Sequence, residues 1–456
     1  MNQSRREFIA GAACASLLAG GCRSMGAFGG AASDGAPMRN FTVAPMSRIR
    51  VGVVGVGYRG IGAVRRLLKV PGLELTAICD TRKEFLDRAV AEAKTLSGRT
   101  PRAFGPGDEA YKALCDWDEV DVVYNTTSWE WHAPISLYAM RAGKHTFIEV
   151  PAAMRIDECW ELVKTAEQTK RHCMQLENCC YGEYELLALN LCKLGLLGEL
   201  LHGEGGYIHD RRWAIHFSEQ WQHWRRRWNE THAGNQYPTH GLGPICLDMG
   251  INRGDKMDYI VSMDGNSRGY VSYAAEVLPQ GDALRANRYD MADMNLSLIR
   301  TVNGRTIMLQ HDVTSPRPYS RLNLIAGTKG VFRSYPRLGI SIEGEAPRDA
   351  IRHAFDDKET ERLREKYMHP LYKKSGELSR KMGGHGGMDF LMDLRWATSL
   401  LHGQPLDMDV YDMASWCAVC ELSERSARDR SRPVDFPDFT DGAWKKPCEC
   451  NLMNAC

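Results

Sequence analysis

The sequence predicts an α/β protein with two domains, an N-terminal doubly wound parallel sheet and a C-terminal α+β domain with a largely antiparallel open sheet. The chain has 456 residues, which is more than one ordinary hydrophobic core accommodates. Apolar, β-branched runs alternate with helical patterns from residue 48 to residue 182, as in βα units of a parallel sheet. Between residues 183 and 445 several strand patterns follow one another, and one pair is separated by a hairpin signal.

The overall composition excludes two classes of partner. The hydrophobic fraction is 43% and the formal net charge is +1, with no basic run and no acidic tail. Such a balance argues against nucleic acid or a membrane surface as the main partner. No stretch after the N-terminus is apolar for about 18 residues, so no internal transmembrane helix is expected.

Residues 1–47 are predicted to be a signal and a linker. Ser4 to Ile9, SRREFI, resembles a twin-arginine export signal, and a short apolar region follows it. Export by this route predicts a location in the periplasm or at the cell surface. Ala19 to Cys22 resembles a lipoprotein cleavage box without the usual Leu, so a lipid anchor at Cys22 and an unmodified Cys22 both remain open. Residues 23–47 are rich in Gly, Ala, Ser and Pro, as linkers are.

The fifteen cysteines do not have the spacing of a disulfide framework. They are scattered along a large chain, and twin-arginine export carries folded proteins, so we expect buried, reduced thiols. Cys417 and Cys420 form a C-x-x-C within a helical pattern. We interpret this pair as core packing rather than a metal or redox site, since no second Cys/His pair lies nearby.

The first domain, residues 48–182, begins with the pattern on which the functional argument depends. A buried strand is predicted at Ile49 to Val54, and a helix at Ile61 to Lys69. Between them lies a G-x-G-x-x-G, whose residues are Gly55, Val56, Gly57, Tyr58, Arg59 and Gly60. These glycines permit a tight turn and close approach of the backbone to a pyrophosphate at the helix N-terminus.

A second strand, Leu73 to Cys79, ends in Asp80, twenty residues after Gly60. An acidic residue at this point binds a ribose 2′-hydroxyl and repels a 2′-phosphate. The order of strand, glycine motif, helix, strand and acid therefore predicts a dinucleotide site, with NAD favoured over NADP. Arg82 keeps NADP open as the alternative.

The first domain continues with further alternating elements. The predicted elements are a helix at Arg82 to Leu96, a short helix at Tyr111 to Trp117, a strand at Val120 to Asn125, a helix at Ala133 to Ala142, a strand at Lys144 to Val150, a helix at Ile156 to Thr169 and a strand at His172 to Glu177. Because ligands bind beyond the carboxyl ends of parallel strands, we expect a loop from Thr126 to His132 to lie over the cofactor.

The second domain, residues 183–445, is predicted to carry its sheet between helices. The predicted elements are a helix at Tyr184 to Leu194, strands at Leu200 to His209, Tyr259 to Ser262, Leu296 to Val302, Arg305 to His311 and Arg321 to Ala326, and late helices at Gly387 to Leu401 and Tyr411 to Arg428. Asn303-Gly304 predicts a hairpin between two of the strands. We expect one sheet face to pack on helices and the other to cover the cofactor, a loop at 213–235, late helices that return to the first domain, and a C-terminal tail at 446–456.

Several segments together resemble the Gfo/Idh/MocA oxidoreductase superfamily, and more closely its branch glycoside hydrolase family 109, the NAD-dependent α-N-acetylgalactosaminidases. The segments are GVGYRG with Asp80, His132, EVPAA from Glu149, LENCCY from Leu176, GGYIHD from Gly205, Trp224-Arg225, YPTHGLGP from Tyr237, SPRPYSR from Ser315 and GGMD from Gly386. The match covers nearly all of residues 48–445. Most superfamily members carry Glu-Lys-Pro, and here Val150 replaces the Lys, which is at odds with an ordinary dehydrogenase.

The resemblance implies a set of site residues and a tightly held NAD. The cofactor-binding set, with the glycine motif of Gly55, Gly57 and Gly60, is Tyr58, Arg59, Asp80, Trp129, Glu130, Trp131, His132, Glu149, Val150 and Asn178. The sugar-binding set is Tyr207, Arg225, Tyr237, Pro238, Thr239, His240 and Tyr319. A glycan with terminal α-linked N-acetylgalactosamine is the implied substrate, and a homodimer through the open sheet face is the implied assembly.

The implied reaction is hydrolysis by transient oxidation at C3, loss of the C2 proton with expulsion of the C1 substituent, addition of water and re-reduction. Such chemistry requires an acid/base set near neutral pH rather than two carboxylates flanking the bond. The candidate catalytic residues are His240, Tyr237, Glu149 and Tyr181. For each of the first three a structural role stays open: a core histidine, packing at a loop edge, or a helix cap.

Other interpretations remain at this stage. A sugar dehydrogenase with net redox change is the first, and a non-catalytic sugar-binding protein that retains NAD is the second. Tyr207 lies on a strand pattern, where sheet packing is the alternative to sugar binding. His385 and Asp389 are interpreted as capping and loop packing rather than metal ligands, because zinc sites take three or four ligands. The Arg/Trp-rich residues 211–228 are expected to stack against a sugar rather than bind nucleic acid.

Overall fold

The computed structural model describes residues 36–218, 223–345 and 353–455. The predicted export signal and Cys22 lie outside the described residues. The last part of the predicted linker is packed against the protein: Ala36 and Met38 are buried. The Arg39 guanidinium donates to the carbonyls of Asn252 at 2.6 Å and Ala443 at 2.8 Å. Residues 36–47 are therefore part of the folded body, which corrects the expected linker.

The first domain is a six-stranded parallel sheet with helices on its faces, as predicted. Its strands are β1 (Ile49–Val54), β2 (Leu73–Cys79), β3 (Arg102–Phe104), β4 (Val122–Asn125), β5 (His145–Ile148) and β6 (Cys173–Gln175), in the order β3-β2-β1-β4-β5-β6. Its helices are α1 (Tyr58–Leu67), α2 (Lys83–Ser97), α3 (Ala110–Cys115), α4 (Trp129–Arg141) and α5 (Ile156–Thr169). The strand order reverses between β1 and β4, the point at which such sheets bind ligands.

One boundary in this domain changes the description of the site. Helix α4 begins at Trp129, not at Ala133, so Trp129 to His132 form its first turn rather than a loop. Pro134 lies inside this helix, one turn after its start. The side chains of this turn are consequently held by a helix beside the carboxyl end of β4.

The second domain is α+β, and its sheet has eight strands. They are β7 (Leu200–Ile208), β8 (Met257–Asp264), β9 (Asn295–Thr301), β10 (Thr306–Asp312), β11 (Ser320–Gly327), β12 (Gly330–Arg333), β13 (Gly339–Ile342) and β14 (Val434–Asp435), in the order β13-β12-β11-β7-β10-β9-β8-β14. Only β7 and β10 pair in parallel among these neighbours. The predicted hairpin joins β9 to β10, with Gly304 at φ +87°.

Helices surround this sheet and return to the first domain. They are α6 (Glu183–Lys193), α7 (Trp224–Thr231), α8 (Thr239–Met249), α9 (Gly269–Val277), α10 (Asp357–Tyr367), α11 (Pro370–Met382), α12 (Met388–His402) and α13 (Val410–Arg428). As predicted, the late helices contact the first domain, α12 against α1 and α13 against α5. The predicted loop at 213–235 is wrong in part, because a π-helical turn at Arg212–Phe217 and α7 lie within it. The C-terminal segment also packs, with Leu452 fully buried.

Helix α8 lies directly on strand β7, and glycines make that contact possible. A Cβ on Gly241 would lie 2.1 Å from the Gly206 nitrogen, and one on Gly205 would lie 2.5 Å from the Gly241 carbonyl oxygen. Larger residues at these positions would push the helix off the sheet. His240, in the first turn of α8, is thereby held at a fixed depth beside the strand.

The two faces of the second sheet do not divide as predicted. The β7 face that packs on α8 through Gly203 and Gly205 also carries Tyr207 toward the first domain, since alternate residues share a face. On the opposite face Met263, Leu296 and Leu298 are exposed. One face therefore serves both helix packing and the site.

Most cysteines are buried, as predicted, although Cys192 and Cys448 are half-buried. The twelve cysteines of the described residues are free, and Cys417 and Cys420 are fully buried in the core. Within the part of the chain that the structure describes, no helix combines the length and apolar character that crossing a membrane requires.

Candidate active site

A cavity of about 730 Å³ lies at the carboxyl edge of the first sheet and extends under the second domain. Its lining includes the glycine turn after β1, the first turn of α4, the ends of β2 and β5, and one face of β7 with the start of α8. The predicted site residues that line it are Gly55, Gly57, Tyr58, Arg59, Asp80, Trp129, Glu130, Trp131, His132, Glu149, Val150, Asn178, Tyr207, Arg225, Tyr237 and His240. The cofactor and sugar sets thus meet in one space.

The glycine turn has the geometry that a dinucleotide requires. Gly55 has φ +84°, and a Cβ there would lie 2.8 Å from the Thr127 side chain. A Cβ on Gly60 would lie 1.9 Å from the Gly55 carbonyl oxygen, so Gly60 permits close helix–strand packing without lining the cavity itself. The N-terminus of α1 opens onto the cavity at Tyr58, where a pyrophosphate is stabilised by the helix.

Asp80 ends β2 at the position of a ribose-binding acid. Its carboxylate accepts the Val56 N–H at 2.7 Å and the Arg82 N–H at 2.9 Å, which fixes it beneath the glycine turn. Burial raises the pKa of Asp80, although both N–H groups oppose the shift. The group that these residues fit is an adenine dinucleotide with a free 2′-hydroxyl.

We expect Asp80→Asn to relax the preference for NAD. The amide keeps an acceptor oxygen but loses the charge, so NAD binding falls by about tenfold, as for a charged hydrogen bond replaced by a neutral one. NADP binding rises at the same time, because the repulsion of its 2′-phosphate is removed. Titration of the cofactor-free protein with each dinucleotide measures both constants, and an unchanged ratio of the two would contradict the role of Asp80.

Arg59 connects the cofactor edge to the second half of the chain. Its Nε donates to Glu149 Oε1 at 2.6 Å, and its two terminal nitrogens donate to Asp389 at 2.9 and 3.2 Å. Asn178 Nδ2 donates to Asp389 Oδ1 at 2.6 Å, and His385 Nδ1 lies 2.9 Å from Asp389 Oδ2. Burial by itself would raise the pKa of Asp389, but Arg59, His385 and Arg66 hold it well below its ordinary value.

These contacts settle two alternatives left by the sequence. Glu149 does not cap α5; its carboxylate faces Arg59 at the cavity wall. Asp389 lies in the first turn of α12 and packs against the loop before it through His385, and it also holds Arg59 and Asn178. The sequence offered no local signal for the Arg59–Asp389 pair, since 330 positions separate the two residues.

Aromatic rings, with the Arg225 guanidinium packed against two of them, form much of the second half of the cavity. The Tyr237 ring lies 4.5 Å from the Tyr207 ring and 5.9 Å from the Trp129 ring, centroid to centroid. The Arg225 guanidinium lies 4.6 Å from the ring centroids of both Tyr237 and Trp129. Burial raises the pKa of Tyr237 well above its ordinary value, against the effect of Arg225. Tyr237 is therefore a neutral phenol, suited to donate a proton or a hydrogen bond.

His209 is a cavity residue that the sequence analysis did not select. Its Nδ1 lies 3.2 Å from the Tyr207 hydroxyl. Burial, together with Arg211 and Arg225, lowers the pKa of His209 to about 4, so its ring is neutral. The sequence signal that could have identified His209 is its position at the end of β7, two residues after Tyr207. Tyr319 packs beside it, with ring centroids 4.9 Å apart, at the rim rather than in the lining.

His240 is held by a buried carboxylate that the sequence analysis also missed. Its Nδ1 lies 2.7 Å from Glu177 Oε1, and Glu177 is fully buried just beyond the carboxyl end of β6. Burial by itself would raise the pKa of Glu177, but His240 and the Cys179 N–H lower it below its ordinary value. Glu177 is therefore ionised at neutral pH. The sequence signal that could have identified Glu177 is a carboxylate just after a predicted strand, the same signal that identified Glu149.

Tyr181, predicted as a catalytic residue, is excluded from the cavity. It is 1% exposed, and its hydroxyl donates to Asp407 Oδ2 at 3.1 Å within the core. Pro238 and Thr239 do not line the cavity either, because they turn the chain into α8 and Thr239 is fully buried. His132 lines it, but both ring nitrogens are engaged by backbone carbonyls, Pro151 at 2.7 Å and Thr127 at 3.0 Å.

Comparison with known proteins assigns both halves of the chain. Residues 49–176 match the family model of an oxidoreductase family with an NAD-binding Rossmann fold, and residues 181–446 match that of the C-terminal domain of glycosyl hydrolase 109. A glycosyl hydrolase family 109 protein of Shewanella pealeana is 46% identical over 412 residues, 90% of each chain. An alpha-N-acetylgalactosaminidase of Shewanella oneidensis is 45% identical over 415 residues, 91% of this chain and 90% of that one.

A solved structure supports the fold. Levoglucosan dehydrogenase, in complex with NADH and levoglucosan, matches with a TM-score of 0.62 at 17% identity, covering 86% of this chain and all of its own. At that identity the likeness shows the fold alone. The predicted doubly wound domain with its mostly antiparallel partner is thereby confirmed.

Proposed function

Because this chain belongs to glycosyl hydrolase family 109, we propose that it hydrolyses terminal α-linked N-acetylgalactosamine from glycans. The chain is a glycoside hydrolase, and NAD is its cofactor. The observation that carries the substrate is the 45% identity, over 91% of the chain, with the relative named for this activity. The joined cavity supports it, since one space holds a dinucleotide turn and an acid/base set.

The proposed reaction assigns each residue a separate task. Bound NAD supplies a reversible hydride acceptor for C3 of the sugar, so the overall reaction is hydrolysis without net redox change. A C3 ketone makes the C2 proton acidic, and His240 is placed to remove it. The electron pair of the broken C2–H bond expels the C1 oxygen, and Tyr237, a neutral phenol, is placed to protonate that leaving oxygen. Water then adds at C1 and gives a proton back to Tyr237, His240 returns its proton to C2, and return of the hydride restores the C3 hydroxyl.

Three further side chains position the reactants. Arg225, held against two aromatic rings, offers donors to sugar hydroxyls or to the acetamido oxygen. Tyr207 offers its ring face and hydroxyl beside His240, with ring centroids 5.5 Å apart. Glu149 fixes Arg59 at the edge of the dinucleotide turn. Val150 stands where dehydrogenases of the superfamily resemblance carry Lys, which supports a reaction that does not release oxidised sugar.

The test is an assay of the purified protein with an aryl α-N-acetylgalactosaminide and no added cofactor or oxidant. We expect steady release of the aglycone without accumulation of NADH, measured by absorbance at separate wavelengths. Aryl α-galactoside and the β-linked N-acetylgalactosaminide are matched controls that should react slowly. Reduction of the bound NAD that stops after a single turnover and continues only when NAD is added would instead indicate a sugar dehydrogenase. Absence of both products and of C2 proton exchange would indicate a binding protein.

We propose, from its N-terminal motif, that the chain is exported folded and carrying its cofactor. The resemblance of Ser4 to Ile9 to a twin-arginine signal supports this, because that route moves folded proteins. Arg5→Lys with Arg6→Lys should retain the protein in the cytoplasm, as measured by fractionation. Incorporation of labelled fatty acid, compared with Cys22→Ser, tests the lipid anchor.

A further inference from the structure

We propose that Glu177 is the positioning residue for His240: it fixes the ring hydrogen on Nδ1 and leaves Nε2 as the base that faces the sugar. The base role rests on the proposed function, whereas the fixed tautomer is a property of the resting protein. Glu177 does not itself line the cavity, so it acts on the site only through His240.

When Glu177 is ionised, the geometry allows only one tautomer of the neutral His240 ring. Glu177 Oε1 lies 2.7 Å from His240 Nδ1, and a carboxylate can only accept, so Nδ1 must carry the hydrogen. Nε2 lies on the other side of the imidazole ring, away from Glu177. Within the described residues it makes no hydrogen bond, while His240 itself lines the cavity. The nitrogen free to accept a proton is therefore the one available to substrate.

Glu177 is itself held rigidly, which a positioning residue requires. It is fully buried, and Oε1 also accepts the Cys179 backbone N–H at 3.1 Å. Its Cγ lies 3.1 Å from the point that a Cβ on Gly243 would occupy, so helix α8 closes over it. Among the ion-pair contacts of the described residues, His240 is the only partner of Glu177. The charge of Glu177 thus acts on the imidazole and not on an arginine.

The charge matters because His240 stands in the first turn of α8. The positive end of a helix disfavours a cation, so an imidazole there needs a compensating carboxylate to accept a proton. The other titratable or charged groups around the ring are Cys179, Tyr207, His209, Tyr237 and Arg225. Burial keeps the Cys179 thiol and the Tyr237 phenol protonated and His209 neutral. Glu177 is left as the negative charge that offsets the helix end and Arg225.

With Cys179, the same atoms also have the spacing of a metal site. One ligand atom each from Glu177, Cys179 and His240 lies within 4.8 Å of the others. A metal there would need the Cys179 thiolate, which burial opposes, and would take the Glu177 oxygen from His240. The hydrogen-bonded pair is therefore favoured, and the tautomer measurement separates the two arrangements, because a metal on Nδ1 removes its hydrogen.

The first measurement needs no substrate. In protein labelled with ¹⁵N-histidine, the His240 signals, assigned by their loss in His240→Gln, should show a hydrogen on Nδ1 and a bare Nε2 at pH 8. A hydrogen on Nε2 instead would overturn the proposal. If the wild-type protein released no aglycone, the proposed function would fail while this result would still decide the tautomer.

The second measurement is the pH profile of kcat/KM for Glu177→Gln. The amide preserves shape and an acceptor oxygen but removes the charge, so the acidic limb should move to lower pH by about one unit, and the plateau should fall about tenfold. Bound NAD and the circular dichroism spectrum should stay unchanged. Glu158→Gln, which removes a carboxylate at the start of α5 outside the cavity, is the matched control and should leave the limb in place.

A double-mutant cycle separates positioning from a structural role. In a His240→Gln background, Glu177→Gln should lower the residual rate less than twofold, because a residue that acts through His240 has nothing left to act on. If the acidic limb of the kcat/KM profile did not move in Glu177→Gln, or if Glu177→Gln lowered the activity equally in both backgrounds, Glu177 would have only a structural role.

Discussion

Replacing His240 with Ala should lower kcat/KM by about 10² to 10⁴, the contribution that a positioned acid/base group makes to proton transfer. The side chain is the only candidate base of the described cavity that joins a free ring nitrogen to a buried, ionised carboxylate. The variant should still bind NAD, because the dinucleotide turn lies in the other domain. It should also bind the sugar, so KM changes less than kcat.

Exchange of the C2 proton distinguishes loss of the base from a general disturbance. Wild-type protein incubated with N-acetylgalactosamine in deuterated solvent should exchange this proton, and His240→Ala should not, as measured by NMR of the sugar. His202→Ala is the matched control, since His202 lies on β7, the strand on which α8 packs, but bonds to Thr306 away from the cavity. Exchange in His240→Ala at the wild-type rate would remove His240 from the mechanism and leave Tyr237 or Glu149 as the base.

The first domain could largely be predicted, because its strands and helices are determined by local sequence patterns. The bounds of β1, β2 and α5 were predicted to the residue, because buried strands and amphipathic helices in short βα units leave clear periodicities. The glycine turn and Asp80 were found for the same reason, since their spacing along the chain fixes their geometry.

Helix α8 shows why the rest could not be predicted. Gly241, Gly243 and Pro244 are helix breakers by propensity, so no helix was predicted there. The helix packs so closely that a Cβ on Gly241 would lie 2.1 Å from the Gly206 nitrogen and one on Gly243 would lie 3.1 Å from the Trp416 ring. Tertiary packing here overrides local preference, and no pattern within the segment reports it.

The pairs that organise the site were hidden by their separation along the chain. Glu177 and His240 are 63 positions apart, and Arg59 and Asp389 are 330 apart. Each residue was part of a noted motif, yet a single-chain pattern contains no information on which motif faces which. Cavity residues that belong to a recognisable local motif were predicted. The contacts between residues far apart along the chain were not predicted.

Asp389→Asn should reduce the free energy of unfolding by about 3 kcal/mol, as expected when one member of a buried ionic network is removed. Asp389 is 1% exposed and lies within 3.4 Å of both Arg59 and Arg66. These guanidiniums keep their other carboxylates, Glu149 and Asp393, which places the expected loss at the lower end of such effects. Denaturant unfolding, followed by circular dichroism, measures the change.

The pH dependence of the same variant tests the electrostatic origin of this loss. The pKa of Asp389 is depressed in the folded state, so its contribution is fully present above its unfolded value near 3.9 and is lost as the pH falls below that. Wild type and variant should therefore differ by a constant amount above about pH 5 and converge below about pH 4. Asp87→Asn, at an exposed pair with Lys83, should change stability little at any pH. An equally small effect of Asp389→Asn would contradict the network.

The same network couples the stability of the protein to the binding of NAD. Arg59 belongs to the glycine turn, and Asp389 fixes it from the first turn of α12, so NAD bound at that turn stabilises the contact between the two halves of the chain. A ligand that binds only the folded state raises stability by an amount that grows with the logarithm of its concentration relative to its dissociation constant. Asp389→Asn should therefore lose NAD as well as stability, and added NAD should restore part of the lost free energy. If saturating NAD stabilised the two proteins equally, Asp389 would act on folding alone, and the glycine turn would be independent of the second domain.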